Sequence, residues 1–171
     1  LVPALKPAVA ATQSGVVAVL ATAGTLRGGL FNDVIRQIAE PAGVQVVTAF
    51  SALLVPFVEQ NQHNSTECQH ELQRVLQPLC DAGADQLVLG CTHYPFLSPA
   101  IGRAIGSQLL LVDSGAAVAR QTVRVLMAQG LLRPIHADPV RFQYAVSGDP
   151  ARAAPIVAQL TSLPFERIAH G

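Results

Sequence analysis

Near the middle of the chain the sequence reads Leu87-Val88-Leu89-Gly90-Cys91-Thr92-His93-Tyr94-Pro95. Its apolar half predicts a short buried strand that ends at Gly90, and Pro95 marks a point where a helix can begin. This order places a thiol at the carboxyl end of a buried strand, where open α/β sheets bind their ligands. A helix amino terminus also stabilises a thiolate, because its unpaired N–H groups and its dipole attract negative charge. The stretch therefore predicts a reactive cysteine at position 91.

A cysteine beside an apolar run is more often a small buried hydrophobe than a reactive group. The residues after Cys91 favour chemistry instead, since they bring a hydroxyl and an imidazole close to the sulfur. The other two cysteines, Cys68 and Cys80, lie inside a helical pattern, which predicts that they pack in the core. His63 and His70 lie in a polar stretch and are predicted to face solvent. No spacing among these residues fits a zinc site.

Apolar strand patterns alternate with helical patterns along the chain, which predicts an α/β fold with a mostly parallel sheet flanked by helices. Strands are predicted at Val16–Leu20, Val44–Ala49, Asp85–Gly90, Leu109–Val112 and Phe142–Val146, with an edge strand at Phe165–Ala169. Helices are predicted at Leu30–Ala39, Ser65–Leu79, Pro95–Ile105, Gly115–Gln129 and Pro150–Leu160. Leu53–Gln60 is predicted to be a short helix or a turn, and Arg133–Asp138 a loop.

Half of the residues are hydrophobic and 13% are charged, so the chain can bury a sizeable core. Acidic and basic residues number 11 each, and the sequence has no basic stripe of the kind that binds nucleic acid. Three irregularly spaced cysteines do not suggest a disulfide framework and fit a reducing compartment. No apolar run is long enough to span a bilayer. These properties favour a cytoplasmic protein without nucleic-acid or membrane partners.

The segment Gly90-Cys91-Thr92-His93-Tyr94-Pro95 resembles the second catalytic-cysteine motif of glutamate racemases, members of the aspartate/glutamate racemase family. Four further segments are similar to family segments and keep the family's order: Val16–Thr25 with its Gly-Thr turn, Leu54–Glu59, Leu111–Gly115 and Ser147–Pro150. Each of these is weakly specific alone. Their order and spacing around the cysteine motif are specific, and they extend the resemblance over nearly the whole chain.

The resemblance implies an enzyme that interconverts L- and D-glutamate without pyridoxal phosphate, any other cofactor or a metal. In that family two cysteines face opposite sides of the substrate; one removes the α-proton and the other delivers a proton to the far face. The matching positions imply catalytic roles for Cys91, His93 and Glu59, and substrate contacts for Thr92, His93 and Thr25. The product, D-glutamate, feeds the synthesis of cell-wall peptidoglycan.

Three of these residues have plainer alternatives. Glu59 matches the family's acidic residue near the opposite thiol, but without the family it is an ordinary exposed helix glutamate. His93 can be an imidazole that hydrogen-bonds the backbone at a helix start. Thr25 lies at a strand-to-helix turn, where it can equally be a turn residue or an N-cap.

The family's amino-terminal half has no counterpart in this sequence. That half carries an Asp-Ser-Gly-x-Gly-Gly strand end and a Cys-Asn-Thr motif with the first catalytic cysteine. Asp113-Ser114-Gly115 is followed by alanines where that strand end has glycines, so it does not replace it. The resemblance implies that residues 1–112 form the second α/β lobe and residues 113–171 the returning, incomplete part of the first. We expect such a chain to be inactive alone, to expose apolar surface, and to form homo-oligomers or associate with the missing half.

Two other functions stay open. One is a related racemase or decarboxylase that acts on aspartate, hydantoins or malonates, because the sequence does not define the side-chain pocket. The other is a non-catalytic module that binds an acidic ligand at the Thr92–His93 turn, a function that loss of the first thiol would favour.

Overall fold

A computed structural model describes residues 2–133, 142–161 and 167–170. Its main sheet has four parallel strands in the order β2-β1-β3-β4: β1 is Val16–Ala21, β2 is Gln45–Ala49, β3 is Gln86–Gly90 and β4 is Leu110–Val112. A second sheet pairs β5 (Gln143–Val146) in parallel with β6 (Arg167–His170). Helices connect and cover the strands of the main sheet, which confirms the predicted α/β fold with a parallel sheet.

The described part of the chain contains eight α-helices: α1 (Val2–Ala11), α2 (Ala23–Arg27), α3 (Gly29–Val34), α4 (Leu54–Glu59), α5 (Thr66–Asp81), α6 (Ser98–Ile105), α7 (Gly115–Ala128) and α8 (Pro150–Thr161). Helices α4, α5 and α6 pack on one face of the main sheet, and α1 and α3 pack on the other. Successive side chains of a strand point to opposite faces, so Ala18 and Leu20 enter the first core and Val17 and Val19 the second. Burial on both faces is why β1 is apolar throughout and β3 is apolar from Leu87 to Leu89.

The strand order positions the carboxyl end of β3. The chain passes from β1 to β2 on one side and returns to β3 on the other side of β1, so the order reverses between β1 and β3. Their register aligns Ala21 with Gly90, and both strands therefore end at the same level. Helices that leave in opposite directions open a crevice at such a reversal, where ligands of α/β proteins bind.

The predicted helix over Leu30–Ala39 is wrong in its bounds. Helices α2 and α3 meet at Gly28, whose extended backbone (φ −71°, ψ 134°) ends one helix and begins the next. After α3 the chain continues as a π-helical turn, Ile35–Ala39, and a 3₁₀ turn ends at Gly43, where φ is 67°. Helix α1 was not predicted, because Pro7 lies inside it and weakens the helical signal.

The helix after the cysteine motif also differs from the prediction. Residues Tyr94–Leu97 form a 3₁₀ turn, and α6 begins at Ser98, three residues later than predicted. Pro99 has no N–H to donate to the carbonyl of Pro95, which instead accepts a hydrogen bond from the Ser98 hydroxyl at 2.8 Å. Cys91 therefore precedes a short 3₁₀ turn rather than a regular α-helix, and the dipole contributes less to a thiolate than expected.

The opposite end of β3 is held by Asp85. Its carboxylate accepts hydrogen bonds from the Thr12 hydroxyl at 2.6 Å and from the N–H groups of Gln13 and Ser14 at 2.6 and 3.0 Å. Burial alone would raise the pKa of Asp85, but these hydrogen bonds together outweigh it and lower the pKa. The contacts tie the α1–β1 connection to the start of the strand that carries Cys91 at its other end.

The carboxyl-terminal part exposes apolar side chains, as expected. Helix α7 has no buried residue, and its Val118 and Met127 are 51% and 64% exposed. On the edge strand β4, Leu110 is 62% exposed. The four-stranded sheet is complete by Val112, but the division of the chain into two lobes at that point stays a prediction.

Two predicted segments fall partly outside the described residues. Of the loop predicted at Arg133–Asp138, only Arg133 is among the described residues. Of the edge strand predicted at Phe165–Ala169, the described residues begin at Arg167. The described part of that strand pairs with β5 rather than with the main sheet. Among the described helices, none combines the length and the hydropathy that crossing a membrane requires.

Candidate active site

A crevice of about 540 Å³ opens at the carboxyl ends of β1, β3 and β4. Cys91 is half-buried and lines it directly after β3. Thr92 and Thr25 line the same crevice, so three of the predicted site residues meet at the predicted edge of the sheet. The full lining is Thr22, Thr25, Leu89, Gly90, Cys91, Thr92, Pro95, Asp113, Ser114 and Gly115.

The other two predicted residues, His93 and Glu59, form a line with Cys91. The Nδ1 atom of His93 is 3.7 Å from the Cys91 sulfur, and its Nε2 atom is 3.1 Å from Oε1 of Glu59. Glu59 is the last residue of α4, so the carboxylate comes from a different element than the thiol. The side chains of His93 and Glu59 are 34% and 61% exposed, and water therefore weakens their attraction.

This line suits the transfer of a proton from sulfur to imidazole. A neutral His93 with its proton on Nε2 donates to Glu59 and leaves the lone pair of Nδ1 directed at the Cys91 thiol. Moving the thiol proton to Nδ1 gives a thiolate beside an imidazolium, and Glu59 then stabilises the imidazolium. The family resemblance places this acid near the opposite thiol; in this chain it contacts the imidazole on the Cys91 side.

Tyr94 anchors the turn that carries the cysteine. Its side chain is fully buried, and its N–H donates to the Cys91 carbonyl at 3.2 Å. Burial, and after it the nearby charge of Cys91, raise the pKa of Tyr94 to about 12. The phenol therefore stays neutral and fixes the turn by packing, while Cys91 remains open to the crevice.

Of the two threonines after β1, Thr22 and not Thr25 caps the helix that follows. Thr22 is the N-cap of α2, because its hydroxyl accepts a hydrogen bond from the Thr25 N–H at 3.4 Å. Thr25 is inside the helix and is not the cap. The two hydroxyl oxygens are 3.1 Å apart, and both side chains line the crevice.

Three polar side chains of the crevice were not predicted as site residues: Thr22, Asp113 and Ser114. Each follows the end of a strand in the main sheet. The carboxyl ends of parallel strands meet at one edge, so a rule that takes the first polar residues after every predicted strand finds all three. Asp113 brings a carboxylate into the crevice, although its segment does not replace the family's amino-terminal strand end.

The remaining cysteines and histidines lie away from this line. Cys68 is buried and Cys80 half-buried, as predicted, and burial raises the pKa of both thiols. His70 is exposed, as predicted, but His63 is buried and the solvent-facing prediction for it is wrong. His63 follows a turn in which the backbone of Asn61 has a left-handed φ of 58°. Within the described ranges, no group of three histidine, cysteine, aspartate or glutamate side chains is arranged so that it could hold a metal ion.

Helix α8 lies beside the imidazole. A groove next to the crevice is bounded on one side by His93 and Glu59 and on the other by Ile156 and Val157 of α8. Leu160, at the end of this wall, packs against the core of the main sheet. A hydrogen bond also joins the side chains of Asn61 and Gln159. The carboxyl-terminal part of the chain thus covers one flank of the candidate site.

Known proteins resemble both the sequence and the fold. Residues 4–122 match the family model described as Asp/Glu/Hydantoin racemase. A glutamate racemase of Deinococcus radiodurans is 65% identical over 133 residues, which cover 78% of this chain and 46% of that protein. A glutamate racemase of Roseiflexus sp. is 40% identical over 168 residues, 98% of this chain and 61% of that protein. The chain thus spans between about half and three-fifths of these relatives.

Solved structures of glutamate racemases are similar to this chain in fold. The Escherichia coli glutamate racemase in complex with L-glutamate and the activator UDP-MurNAc-ala has a TM-score of 0.81 and 29% identity, over 98% of this chain and 62% of that one. A Bacillus anthracis glutamate racemase has a TM-score of 0.80, covers 99% of this chain and 62% of that one, and at 21% identity shows the fold alone.

Proposed function

The chain belongs to the Asp/Glu/hydantoin racemase family, and on that premise we propose that it supplies one of the two proton-transfer sites of a glutamate racemase. The observation that carries this proposal is the line of Cys91, His93 and Glu59 at the edge of the crevice. In the proposed reaction the Cys91 thiolate removes, or its thiol delivers, the α-proton of glutamate on one face.

The chemistry is difficult because an amino-acid α-C–H is a very weak acid and a thiol is only a moderate base. Holding the α-carbon in contact with sulfur supplies part of the difference. Donors that face the substrate carboxylate, where negative charge grows, supply more. Thr92 and Thr25 line the crevice and offer hydroxyl groups for this purpose, and Asp113 offers a carboxylate to the ammonium group. No cofactor or metal takes part in the reaction as proposed.

Inversion needs a donor on the opposite face, which this chain does not carry by its sequence motifs. We propose that the second thiol comes from an amino-terminal half of the family type, and that the chain forms homo-oligomers or associates with such a half. The exposed apolar residues of α7 and β4 support such an association, because monomeric proteins rarely expose large contiguous apolar patches. In the cell, the complete enzyme would work in the cytoplasm and supply D-glutamate for peptidoglycan.

Solvent-deuterium exchange tests the function. The chain is incubated with L- or D-glutamate in heavy water, and loss of the α-proton signal is followed by NMR. Exchange in one enantiomer of glutamate, with aspartate, hydantoins and malonates slower, supports the proposal. Faster exchange with another of these substrates would assign the related enzyme instead. Calorimetric binding of glutamate without exchange would assign a binding module.

The contribution of Glu59 to exchange should be small and that of His93 large. Glu59→Gln removes the partly exposed carboxylate that stabilises the imidazolium, a contact worth about 0.2–1 kcal/mol, and we expect a loss of about 1.5–5-fold. His93→Gln removes the proton acceptor itself, and we expect a loss of about 10²-fold or more. Glu40→Gln, at an exposed glutamate remote from the crevice, is the matched control and should change nothing. Equal effects at positions 59 and 93 would contradict the assigned roles.

A further inference from the structure

We propose that the Cys91–His93–Glu59 line also catalyses acyl transfer, and that the chain hydrolyses activated esters of short, uncharged acids through a thioester on Cys91. This activity uses one thiol and one face of the substrate. It goes beyond proton transfer to glutamate and does not depend on it, because no second thiol is required.

The arrangement meets the geometric requirements for a cysteine nucleophile. Such a nucleophile needs a base within hydrogen-bond reach and a third group that orients the base. His93 Nδ1, 3.7 Å from the Cys91 sulfur, is the base, and Glu59, 3.1 Å from Nε2, is the orienting group. Cys68 and Cys80 have no histidine contact among the hydrogen bonds of the described residues, so the argument singles out Cys91.

The turn also offers donors for the oxyanion that forms during acyl transfer. The N–H of Tyr94 is occupied by the Cys91 carbonyl, and that of Phe96 by the His93 carbonyl. For the N–H groups of Thr92 and His93, which directly follow the nucleophile, no acceptor is found in the described part of the chain. Two backbone donors next to the attacking atom can form an oxyanion hole.

The crevice defines the class of substrate. It holds about 540 Å³ and is open to water, with Thr92 and Pro95 exposed at its edge. Water can therefore reach a thioester on Cys91. Asp113 lines the crevice, and its Oδ1 atom accepts a hydrogen bond from the Gly115 N–H at 2.6 Å. A carboxylate at this position disfavours an acyl group that carries negative charge and, unlike glutamate, has no ammonium group to offset it. Short neutral acyl groups are therefore the expected substrates.

The reaction balances without an oxidant or reductant. His93 takes the Cys91 proton, the thiolate forms a C–S bond to the ester carbonyl carbon, and the C–O bond to the leaving alcohol breaks. The alcohol leaves with the proton from His93. Water then attacks the thioester while His93 takes a proton from it, the C–S bond breaks, and the thiolate recovers that proton. The net reaction is ester plus water to acid plus alcohol.

The probe for this activity is p-nitrophenyl acetate, mixed with the 171-residue chain at neutral pH. We expect a burst of p-nitrophenolate stoichiometric with the chain, followed by slower turnover, and an acetyl group on the Cys91 peptide by mass spectrometry. Cys91→Ser and Cys91→Ala should both remove the burst. His93→Gln should slow turnover about 10²-fold. Cys80→Ser, at a half-buried thiol outside the crevice, is the control and should change neither the burst nor the turnover.

Acetylation spread equally over Cys80 and Cys91, a burst that survives both Cys91 variants, or unchanged turnover in His93→Gln would each overturn the proposal. Deuterium exchange on glutamate is measured on the same samples. Exchange without ester turnover refutes acyl transfer alone, and ester turnover without exchange refutes proton transfer to glutamate alone.

Discussion

Cys91→Ser abolishes deuterium exchange at the α-carbon of glutamate, with an expected loss of about 10²–10⁴-fold, the range that a positioned proton-transfer group contributes. The substitution keeps the size and polarity of the side chain close to those of cysteine. It replaces a thiol by a hydroxyl, which is a much weaker acid and cannot take the place of the thiolate. His93 and Glu59 remain in place, so a loss of exchange is assigned to the sulfur. NMR in heavy water measures the rate.

The matched control is Cys80→Ser, which changes the same atom on α5. Cys80 packs against the core and does not line the crevice, and burial raises the pKa of its thiol. We expect its exchange rate to equal that of the unchanged chain. If Cys91→Ser exchanges deuterium as fast as Cys80→Ser and the unchanged chain, Cys91 is not the acid or base.

The isolated chain should exchange the α-proton without inverting the substrate. Cys91 reaches one face of the α-carbon, and a deuteron delivered to that same face restores the starting configuration. We expect D-glutamate to form from L-glutamate at least about 10²-fold more slowly than deuterium enters, which is the contribution of one missing proton-transfer group. Chiral chromatography of the exchanged sample measures both quantities.

Adding a proton donor for the opposite face of the α-carbon should allow inversion. The portion of the Deinococcus radiodurans relative that this chain does not cover is mixed with the chain, and D-glutamate formation is measured again. Cys91→Ser in the mixture is the control, because inversion needs both donors. Inversion by the isolated chain at the rate of exchange would show that the second donor is already present, in this chain or in a second copy.

The parallel sheet could be predicted because its two central strands, β1 and β3, are buried on both faces. A short continuous apolar run such as Val16–Leu20 is typical of a strand in a parallel sheet with helices on both faces, because both of its side-chain rows are then buried. The crevice followed from the same argument, since Cys91 comes directly after such a strand. Predictions were less accurate where local backbone geometry determines the residue at which a helix begins. The shift of α6 to Ser98 depends on the N–H that Pro99 lacks and on a side-chain hydrogen bond that apolar periodicity does not report.

Contacts between residues that are far apart in the sequence were the second feature that could not be predicted. Glu59 and His93 are 34 positions apart, and their 3.1 Å contact depends on how α4 approaches the turn after β3. The resemblance placed Glu59 at the site, but its partner came only from the packing of these elements. Asp113 entered the crevice through the register of β4 with β3, which a motif search does not evaluate. His63 is buried close after a left-handed turn at Asn61, and its polar neighbours in the sequence gave no signal of that burial.

The most direct test of the central claim is competitive alkylation of the three thiols. The chain is treated briefly with iodoacetamide at neutral pH, and the labelled fraction of each cysteine is measured by peptide mass spectrometry, with and without glutamate. We predict that Cys91 reacts first, because the crevice admits the reagent and His93 can take its proton, and that glutamate slows Cys91 alone. Cys68 should react last, since it is fully buried and burial raises its pKa. Cys91 labelling no faster than Cys80, or labelling that glutamate leaves unchanged, would contradict a reactive thiol at the substrate site.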